Sequence, residues 1–255
     1  MEHLVFQLQA PLSSWGEPAV GEFRGTGDAP TQSAVVGLLG AALGLDRGDE
    51  AAHVALRDGY GIAVALLSPG SLLRDYHTAQ VPSRAHLKGR PRATRRQELQ
   101  VPRHDLGTIL STRDYRQNAA SLVALQPRPD APHALGGLAQ ALRTPQFTLY
   151  LGRKSCAPGA PLWPQVIEAE SAWVAFQQYV ERFEAARQKA TMLEPLPPIR
   201  RITFDDHVVA GLPRDLTVSR KDRLIRRRGW QFGDRNEHIA LVPSAPPPST
   251  VAMET

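Results

Sequence analysis

The stretch YGIAVALL, Tyr60–Leu67, is a short and continuous apolar run. A run of this length that contains β-branched residues and no polar alternation is typical of a strand that is buried on both faces. We therefore predict that it is a central strand of a sheet. Pro69-Gly70 follows as a turn, and Leu72–Gln80 is the predicted partner strand beyond that turn.

Two elements are predicted before this strand. Leu4–Gln9 alternates between apolar and wetter positions, which predicts a strand that has one wetter face and ends at Pro11. Thr31–Leu43 has helical spacing with Thr31 as its N-cap, and it is apolar nearly all round, so we expect a buried helix. A stripe of glycines along this helix predicts the close approach of another backbone or of a ligand: Gly37, Gly40 and Gly44.

Six further elements are predicted after the central strand. The first three are a strand, a helix and a strand: Ala119–Leu125, Ala131–Leu142 and Phe147–Leu151. The chain changes character after Pro164, where an amphipathic helix is followed by two strands: Ser171–Ala190, Arg201–Val208 and His238–Val242.

The order of these elements predicts the fold class. Strand, helix, strand, strand, long insertion, strand, helix, strand is typical of an α+β protein with a ferredoxin-like or RRM-like domain, a split βαβ arrangement. We expect this domain at residues 1–161, with a basic thumb insertion at about 81–105. Residues 162–242 are the predicted C-terminal extension, a smaller region of helix and strands, and the Pro/Ser-rich residues 243–255 are predicted to be a disordered tail.

The composition limits the class of protein. The chain has 255 residues, a formal net charge of +5 and a pI of about 9.7. Cys156 is the only cysteine, which excludes an internal disulfide and a zinc site built on thiolates. The N-terminus lacks the basic and apolar regions of a signal peptide, and no apolar run is long enough to span a bilayer. We therefore expect a cytoplasmic protein with no membrane partner.

The segment 81–105 is strongly basic and contains few apolar residues. Glu98 and Asp105 oppose a set of seven basic residues: Arg84, Lys88, Arg90, Arg92, Arg95, Arg96 and Arg103. Arginine donates paired hydrogen bonds to phosphates, and a one-sided charge of this kind indicates a polyanion partner. We predict a protruding basic loop or hairpin, and a merely solvated loop is the alternative.

Two more basic clusters lie downstream. Arg153 and Lys154 directly follow a predicted strand and the permissive Gly152, where backbone N–H groups could hold a phosphate. The other cluster is a run of basic residues followed by two aromatic ones: Arg214, Arg220, Lys221, Arg223, Arg226, Arg227, Arg228, Trp230 and Phe232. It is typical of a nucleic-acid site in which bases stack and phosphates pair, or equally of a charged strand pair with both aromatic rings in the core.

Common catalytic motifs are absent from the sequence. There is no His-x-x-x-His pair for a metal and no G-x-S-x-G for a serine hydrolase. We therefore predict no catalytic residues, no metal site and no cofactor. Tyr76-His77 leaves one alternative open, because with a thumb lysine they could serve as base and acid in metal-free RNA cleavage. The other interpretation is a non-catalytic pair that stacks and forms hydrogen bonds.

Several segments, in this order along the chain, resemble the fifth family of CRISPR-associated (Cas) proteins in its type I-E branch. The segments are Leu8–Gly16 (LQAPLSSWG), Pro30–Ser33 leading into Gly37–Gly44, Leu73–Thr78 (LRDYHT), Thr112–Tyr115 (TRDY) and Leu149–Cys156 (LYLGRKSC). Arg214-Asp215 with Phe232 and Arg235 is a weaker C-terminal match. The resemblance covers most of the chain to about Pro161, whereas Trp163–Pro198 matches poorly.

The resemblance implies an RNA-binding subunit of the Cascade surveillance complex that caps the 5′ handle of the crRNA. Its implied partners are the backbone subunit that tiles the guide, the large subunit that reads the PAM, and target DNA within the complex. The residues that the resemblance implies for RNA binding are Arg74, Tyr76, His77, Arg113, Tyr115, Arg153 and Lys154. Charge alone adds four thumb residues: Arg90, Arg92, Arg95 and Arg96.

Three functions remain as hypotheses. The first is a non-catalytic RNA-capping scaffold, motivated by the basic thumb and the missing catalytic motifs. The alternative is a metal-independent endoribonuclease that processes CRISPR repeat RNA, as type I-C relatives do, with Tyr76-His77 at its site. The third is a protein-interaction module whose basic surface meets acidic partners, motivated by the amphipathic helix Ser171–Ala190.

Overall fold

The computed structural model describes residues 1–16, 19, 21–190 and 194–242. Its strands are β1 Glu2–Ser13, β2 Phe23–Arg24, β3 Tyr60–Ser68, β4 Ser71–Pro82, β5 Leu106–Pro127, β6 Gln165–Glu168, β7 Arg201–Phe204, β8 Leu216–Arg226 and β9 Gln231–Leu241. Its helices are α1 Gln32–Leu43, α2 Glu50–Gly59, α3 Arg95–Glu98, α4 Leu135–Arg143 and α5 Ala172–Arg187, with a 3₁₀ turn at Arg103–Asp105.

One large sheet joins these strands into a mixed α/β molecule. Its main path runs β6-β1-β5-β3-β7-β9-β8, and each neighbouring pair along the path is antiparallel. The two-residue β2 pairs with β5 in parallel, and β4 lies off the path on β5. The predicted central strand is confirmed, because β3 lies in the middle of the path and is buried along nearly its whole length.

Helices cover both faces of the sheet. α1 and α4 pack on the face that carries Leu4 and Phe6, and α5 packs on the opposite face beside Val5. The predicted wetter face of the first strand is therefore wrong. Gln7 is buried on that face, and its side-chain Nε2 donates to the carbonyl of Pro161 at 2.7 Å.

β1 continues through Pro11 to Ser13, where the sequence predicts a strand that ends at Pro11. The N–H of Gln7 and the carbonyl of Gln9 form hydrogen bonds with the loop that precedes β6, not with β5. Odd-numbered residues of β1 therefore turn their backbone groups away from β5. Pro11 falls on that side of the strand, where its missing N–H removes no bond of the β1–β5 ladder.

β4 pairs with β5 and not with β3, so the predicted pairing of Leu72–Gln80 with the central strand is wrong. The chain does turn at Pro69-Gly70, and Gly70 has a left-handed φ of 62°. The physical reason lies in β5, which has 22 residues. Its second half fills the place between β1 and β3, and its first half extends beyond the core to pair with β4.

Phe147–Leu151 is not a strand, which corrects another prediction. The N–H of Phe147 donates to the carbonyl of Ala41 near the end of α1. The N–H of Leu151 donates to Cys156 within the turn that follows. These hydrogen bonds go to a helix end and a local turn, so the segment has no ladder, and β6 takes the edge position beside β1.

The three predicted helices are present. α1 begins after Thr31, whose hydroxyl accepts from the N–H of Ala34, and α5 begins after Ser171, which caps it in the same way. α4 begins at Leu135, later than predicted. α2 was missed, although Asp49 caps its first turn.

At Gly40, the close approach predicted along α1 comes from a side chain. A Cβ on Gly40 would lie 2.8 Å from the ring of His53 on α2, so the missing side chain lets the two helices pack closely. Gly44 has another task, because its φ of 75° ends the helix as a left-handed C-cap.

The C-terminal strands share the sheet of the N-terminal ones, since β7 pairs with β3. A domain boundary at residue 161 stays a prediction, and the predicted tail at 243–255 lies outside the described residues. Within the described ranges, none of the helices combines the length and the apolar character needed to cross a membrane.

Candidate nucleic-acid interface

The predicted basic protrusion is a hairpin, residues 71–117, which we call the thumb. All of β4 pairs with the first half of β5, and α3 and the 3₁₀ turn form the tip between them. Asn118, with a φ of 55°, lies in β5 directly after the thumb. Cross-strand neighbours share a face of a hairpin, so this ladder decides which thumb side chains can meet.

The four predicted tip arginines are exposed to solvent: Arg90, Arg92, Arg95 and Arg96. Arg95 forms an ion pair with Glu98, with Nη1 2.7 Å from Oε2, and Arg90 donates to the carbonyl of Gln100 at 2.8 Å. Both contacts leave the guanidinium groups at the surface. The tip therefore presents concentrated positive charge, which attracts phosphates.

Arg74 and Asp114 face each other across the ladder at the base of the thumb. Nε and Nη2 of Arg74 donate to the two carboxylate oxygens of Asp114, at 2.9 and 3.1 Å. The hydrogen bond from Arg74 lowers the pKa of the Asp114 carboxyl, although burial opposes that shift. Arg74 also lies over the ring of Phe23, and just over half of its side chain (56%) is exposed. Its guanidinium is thus oriented and still accessible.

Arg153 reaches the same point from the loop that follows α4. Its Nη1 donates to the carbonyl of Asp114 and its Nη2 to the carbonyl of Arg24, both at 3.0 Å. Its guanidinium lies 4.5 Å from the centroid of the Tyr115 ring, a cation–π contact. The structure therefore brings Tyr115 and Arg153 together at the base of the thumb. Arg74 lies at the same level of the hairpin, on the face opposite Tyr115.

The loop at Gly152 holds Arg153 in place. Gly152 has a φ of 88°, and a Cβ there would lie 1.7 Å from the carbonyl oxygen of Ser14, so this position requires glycine. The N–H of Ser14 donates to the carbonyl of Leu151 at 3.1 Å, which fastens the loop to the end of β1. Lys154 follows as an exposed side chain, and Arg113 lies opposite β2 at the same base.

Tyr76 and His77 are not brought together. They are neighbours on one strand, so their side chains point to opposite faces of the thumb. Tyr76 is 64% exposed on the face of Arg74, and His77 lies on the face of Arg113 with Nδ1 3.9 Å from Asp75. Among the described residues, no group of three or more His, Cys, Asp or Glu side chains is arranged to hold a metal ion.

A groove of about 610 Å³ runs from the thumb base along α1 to the turn between β8 and β9. Its basic and aromatic lining includes Arg24, Tyr150, Arg153, Arg227, Trp230 and Phe232. This combination suits a nucleic acid, because cations pair with phosphates and rings stack with bases. Sequence reasoning missed Arg24, for which the only signal is an adjacent aromatic residue.

The second basic cluster does form a charged strand pair, β8 with β9. Trp230 is 51% exposed, so the interpretation that placed it in the core is wrong. The turn that carries it leaves the indole at the rim of the groove. The strand-pair alternative is therefore right about the pairing and wrong about Trp230, and the nucleic-acid alternative stays a prediction.

The comparisons with known proteins place the chain in a family. Residues 3–233 match the model of a family described as CRISPR-associated protein (Cas_Cas5). The chain belongs to this family. "CRISPR system Cascade subunit CasD" from Escherichia coli (strain K12) is a Cas5 relative with 32% identity over 185 residues, which are 69% of this chain and 76% of that protein. The resemblance drawn from the sequence is confirmed.

Two solved structures have folds similar to that of this Cas5 chain. "CRISPR RNA-guided surveillance complex" contains a chain with a TM-score of 0.62 and 22% identity, covering 95% of this chain and 90% of the other. "Crystal structure of Cas protein" has a TM-score of 0.58 and 25% identity, covering 96% of this chain and all (100%) of the other. The large antiparallel sheet is thus a fold that other Cas proteins share.

A buried ion network fastens the C-terminal hairpin of this Cas5 protein to α1. Arg235 donates to Asp205 at 2.8 Å, to Asp222 at 2.7 and 2.9 Å, and to Glu237 at 2.7 Å. Asp222 also accepts from the N–H of Gln32, the first residue of α1, at 2.9 Å. Burial raises the pKa of Asp205, which Arg235 partly offsets. The network holds the groove's far wall against α1.

Proposed function

We propose that this chain is a non-catalytic RNA-binding subunit of a type I-E CRISPR Cascade complex, acting in antiviral defence. It caps the 5′ handle of the crRNA and contacts the backbone subunit and the large subunit, with target DNA bound elsewhere in the complex. Its E. coli relative carries the name of a Cascade subunit, and a solved chain of similar fold belongs to an RNA-guided surveillance complex.

The observation that carries this proposal is the set of oriented cations and aromatic rings at the base of the thumb. Arg74 is held by Asp114, and Arg153 is held by two carbonyls against Tyr115. Cations fixed in this way need little further ordering to bind a phosphate, and an adjacent ring offers a face to a base. The remaining proposed contacts surround this point: Tyr76, His77, Arg113 and Lys154.

The thumb tip supplies a second, less ordered group of phosphate contacts. Its exposed arginines project beyond the sheet, where they can follow an RNA backbone without reading its sequence. Binding through such charges releases counterions from the RNA, so affinity falls as salt rises. Arg90, Arg92, Arg95 and Arg96 are the proposed contacts.

The geometry at Tyr76 and His77 favours a scaffold over a nuclease. An acid and a base must both reach one phosphodiester, within hydrogen-bond distance of the atoms that exchange protons. Two residues on opposite faces of a strand do not meet that requirement.

The proposal includes a finer description of the fold. We assign β1, α1, β3, β5 and α4 to a ferredoxin-like, RRM-like split βαβ domain at 1–161, with 162–242 as an extension whose first strand, β6, completes the split βαβ order. The order β6-β1-β5-β3 supports this assignment, because each crossover helix leads to a strand two positions away, with an antiparallel strand between.

The test is a gel assay of the purified chain with labelled CRISPR repeat RNA, with and without EDTA, over a range of salt. We expect a shifted complex that weakens steeply with salt and no cleaved RNA in either lane. A discrete product that persists in EDTA would identify a metal-free nuclease instead. An affinity that does not change with salt would contradict the proposed phosphate contacts.

A further inference from the structure

The turn between β8 and β9 places Arg227 and Trp230 at the end of the groove far from the thumb, where the proposed function makes no use of them. Both residues line the same groove as Tyr150 and Arg153. An RNA strand that leaves the thumb base along this groove therefore meets them next.

Arg227 is a partly buried cation that forms no ion pair with any carboxylate of the described residues. Within the described part of the chain, no acceptor lies within hydrogen-bond range of its buried Nε. The nearby carboxylate of Glu50 accepts from the backbone N–H groups of Arg227 and Arg228, at 2.9 and 2.7 Å, and so holds the turn rather than the guanidinium. Burial, and then the charge of Arg47, lower the pKa of Arg227. The charge of Glu50 offsets these effects only in part. A partly desolvated cation without an ion pair favours binding of an anion from outside.

Trp230 offers an aromatic surface beside that cation. Its ring is stacked with that of Phe232, with an interplanar angle of 9° and centroids 6.3 Å apart, so the indole is braced. The exposed guanidinium of Arg47 lies 4.6 Å from the indole centroid. Gly37 of α1 lies beside the same cation, since a Cβ there would stand 3.8 Å from Nη2 of Arg227.

We propose that Trp230 and Arg227 form a second RNA subsite, which binds one nucleotide of single-stranded RNA with its base on the indole and its phosphate on the guanidinium. This inference rests on the proposed function, because the same strand must first be held at the thumb base. A stacked base is worth more than an exposed cation–π contact, so the base displaces Arg47 from the ring. Arg47 then lies beside the phosphate as a second cation.

The subsite is specific for a single strand. In a duplex, the faces of each base are covered by its neighbours in the stack, and the indole finds no free ring. The chemistry at Trp230 does not select a base, because each base has a π face. The subsite therefore fixes the path of the RNA and not its sequence.

The experiment measures binding of the full chain to fluorescein-labelled single-stranded repeat RNA by anisotropy. Trp230→Ala should weaken binding about tenfold, the loss of one stacked base, whereas Trp230→Phe should retain most of the affinity. Arg227→Gln should reduce the slope of log affinity against log salt by about 0.7, the value for one phosphate contact on a single strand. Phe147→Ala is the matched control, because Phe147 is an exposed aromatic residue outside the groove.

A second readout locates the nucleotide. Repeat RNA with 2-aminopurine at one position at a time should show quenching at one position, and Trp230→Ala should abolish it. Equal binding by the wild type and Trp230→Ala, or equal binding of a matched RNA duplex, overturns this inference alone. A wild-type chain that binds no RNA overturns the proposed function as well, so the two failures are distinguishable.

Discussion

At the scale of single residues, the candidate site depends on how each arginine is held. Arg74 is oriented by a carboxylate, and Arg153 by two carbonyls and a ring. Sequence reasoning selected both arginines and Tyr115, because they lie in segments that resemble a family. It did not select Asp114, because an acidic residue in a basic segment indicates no function until its ion-pair partner is known.

Replacing Asp114 with asparagine tests the pair. The folded-state pKa of Asp114 is lowered, chiefly by Arg74, so its stabilising effect is complete above the ordinary Asp value of 3.8 and is lost as pH falls through the folded value. We expect Asp114→Asn to reduce the free energy of unfolding by about 1 kcal/mol at pH 7. The expected loss is small because just over half of the Arg74 side chain is exposed, so solvent screens the ion pair. Urea unfolding of the wild type and the variant measures this difference in the free energy of unfolding.

The pH dependence supplies the control for that variant. The difference between wild type and Asp114→Asn should shrink towards zero in acid, where the wild-type carboxyl is protonated. A difference that stays constant between neutral and acid pH would show that the asparagine acts through packing, and the ion pair would then have no part in stability.

At the scale of elements, the sequence predicted those helices whose formation depends on interactions between residues close together in the chain. Helices α1 and α5 have N-cap residues and apolar spacing that need no tertiary information. The pairing of β4 could not be predicted, because β3 and β4 are adjacent in sequence and the turn between them is typical of a hairpin. The prediction of a strand at Phe147–Leu151 failed for a related reason, since Leu149 and Leu151 fill the core from an irregular backbone.

The arginines of the thumb tip are predicted to contribute to RNA binding through their charge. Changing Arg90, Arg92, Arg95 and Arg96 to glutamine should weaken RNA binding and reduce the log–log salt slope by at most about 3, since each phosphate contact contributes about 0.7. The fold should be retained, because these side chains are exposed. Fluorescence anisotropy over a salt series measures the slope.

The matched control for the tip neutralises two exposed cations on and after α5, Arg182 and Lys189. This surface is on the far face of the sheet, and we expect its loss to leave the slope nearly unchanged. The control removes two positive charges and the tip variant removes four. If the salt slope fell by the same amount for each charge removed in both, RNA binding would depend on net charge and not on the thumb.

At the scale of the whole molecule, the sheet unites regions that are distant in sequence. β7 lies beside β3, and the β8–β9 pair extends the sheet to residues that wall the groove. The sequence showed that these segments are strands or basic clusters. It could not show that Asp205, Asp222 and Glu237 converge on Arg235, because a salt-bridge network has no periodicity to detect.

Arg235→Gln tests how far the molecule depends on that network. The side chains of Arg235 and Asp222 are 9% and 1% exposed, so removal of the cation leaves buried carboxylates without a partner. We expect a loss of about 3–5 kcal/mol in the free energy of unfolding, the usual cost of breaking a buried pair. Thermal and urea unfolding measure it. Arg182→Gln, an exposed arginine, is the control and should change stability by less than about 0.5 kcal/mol.

Asn118 has a consequence for the direction in which the thumb points. A left-handed backbone at one position in a long strand bends it, and asparagine adopts that conformation more readily than other residues with a side chain. The direction of the hairpin, and so the position of the tip arginines, therefore depends on the backbone of this one residue. A branched side chain there would swing the tip away without altering any of the arginines it carries.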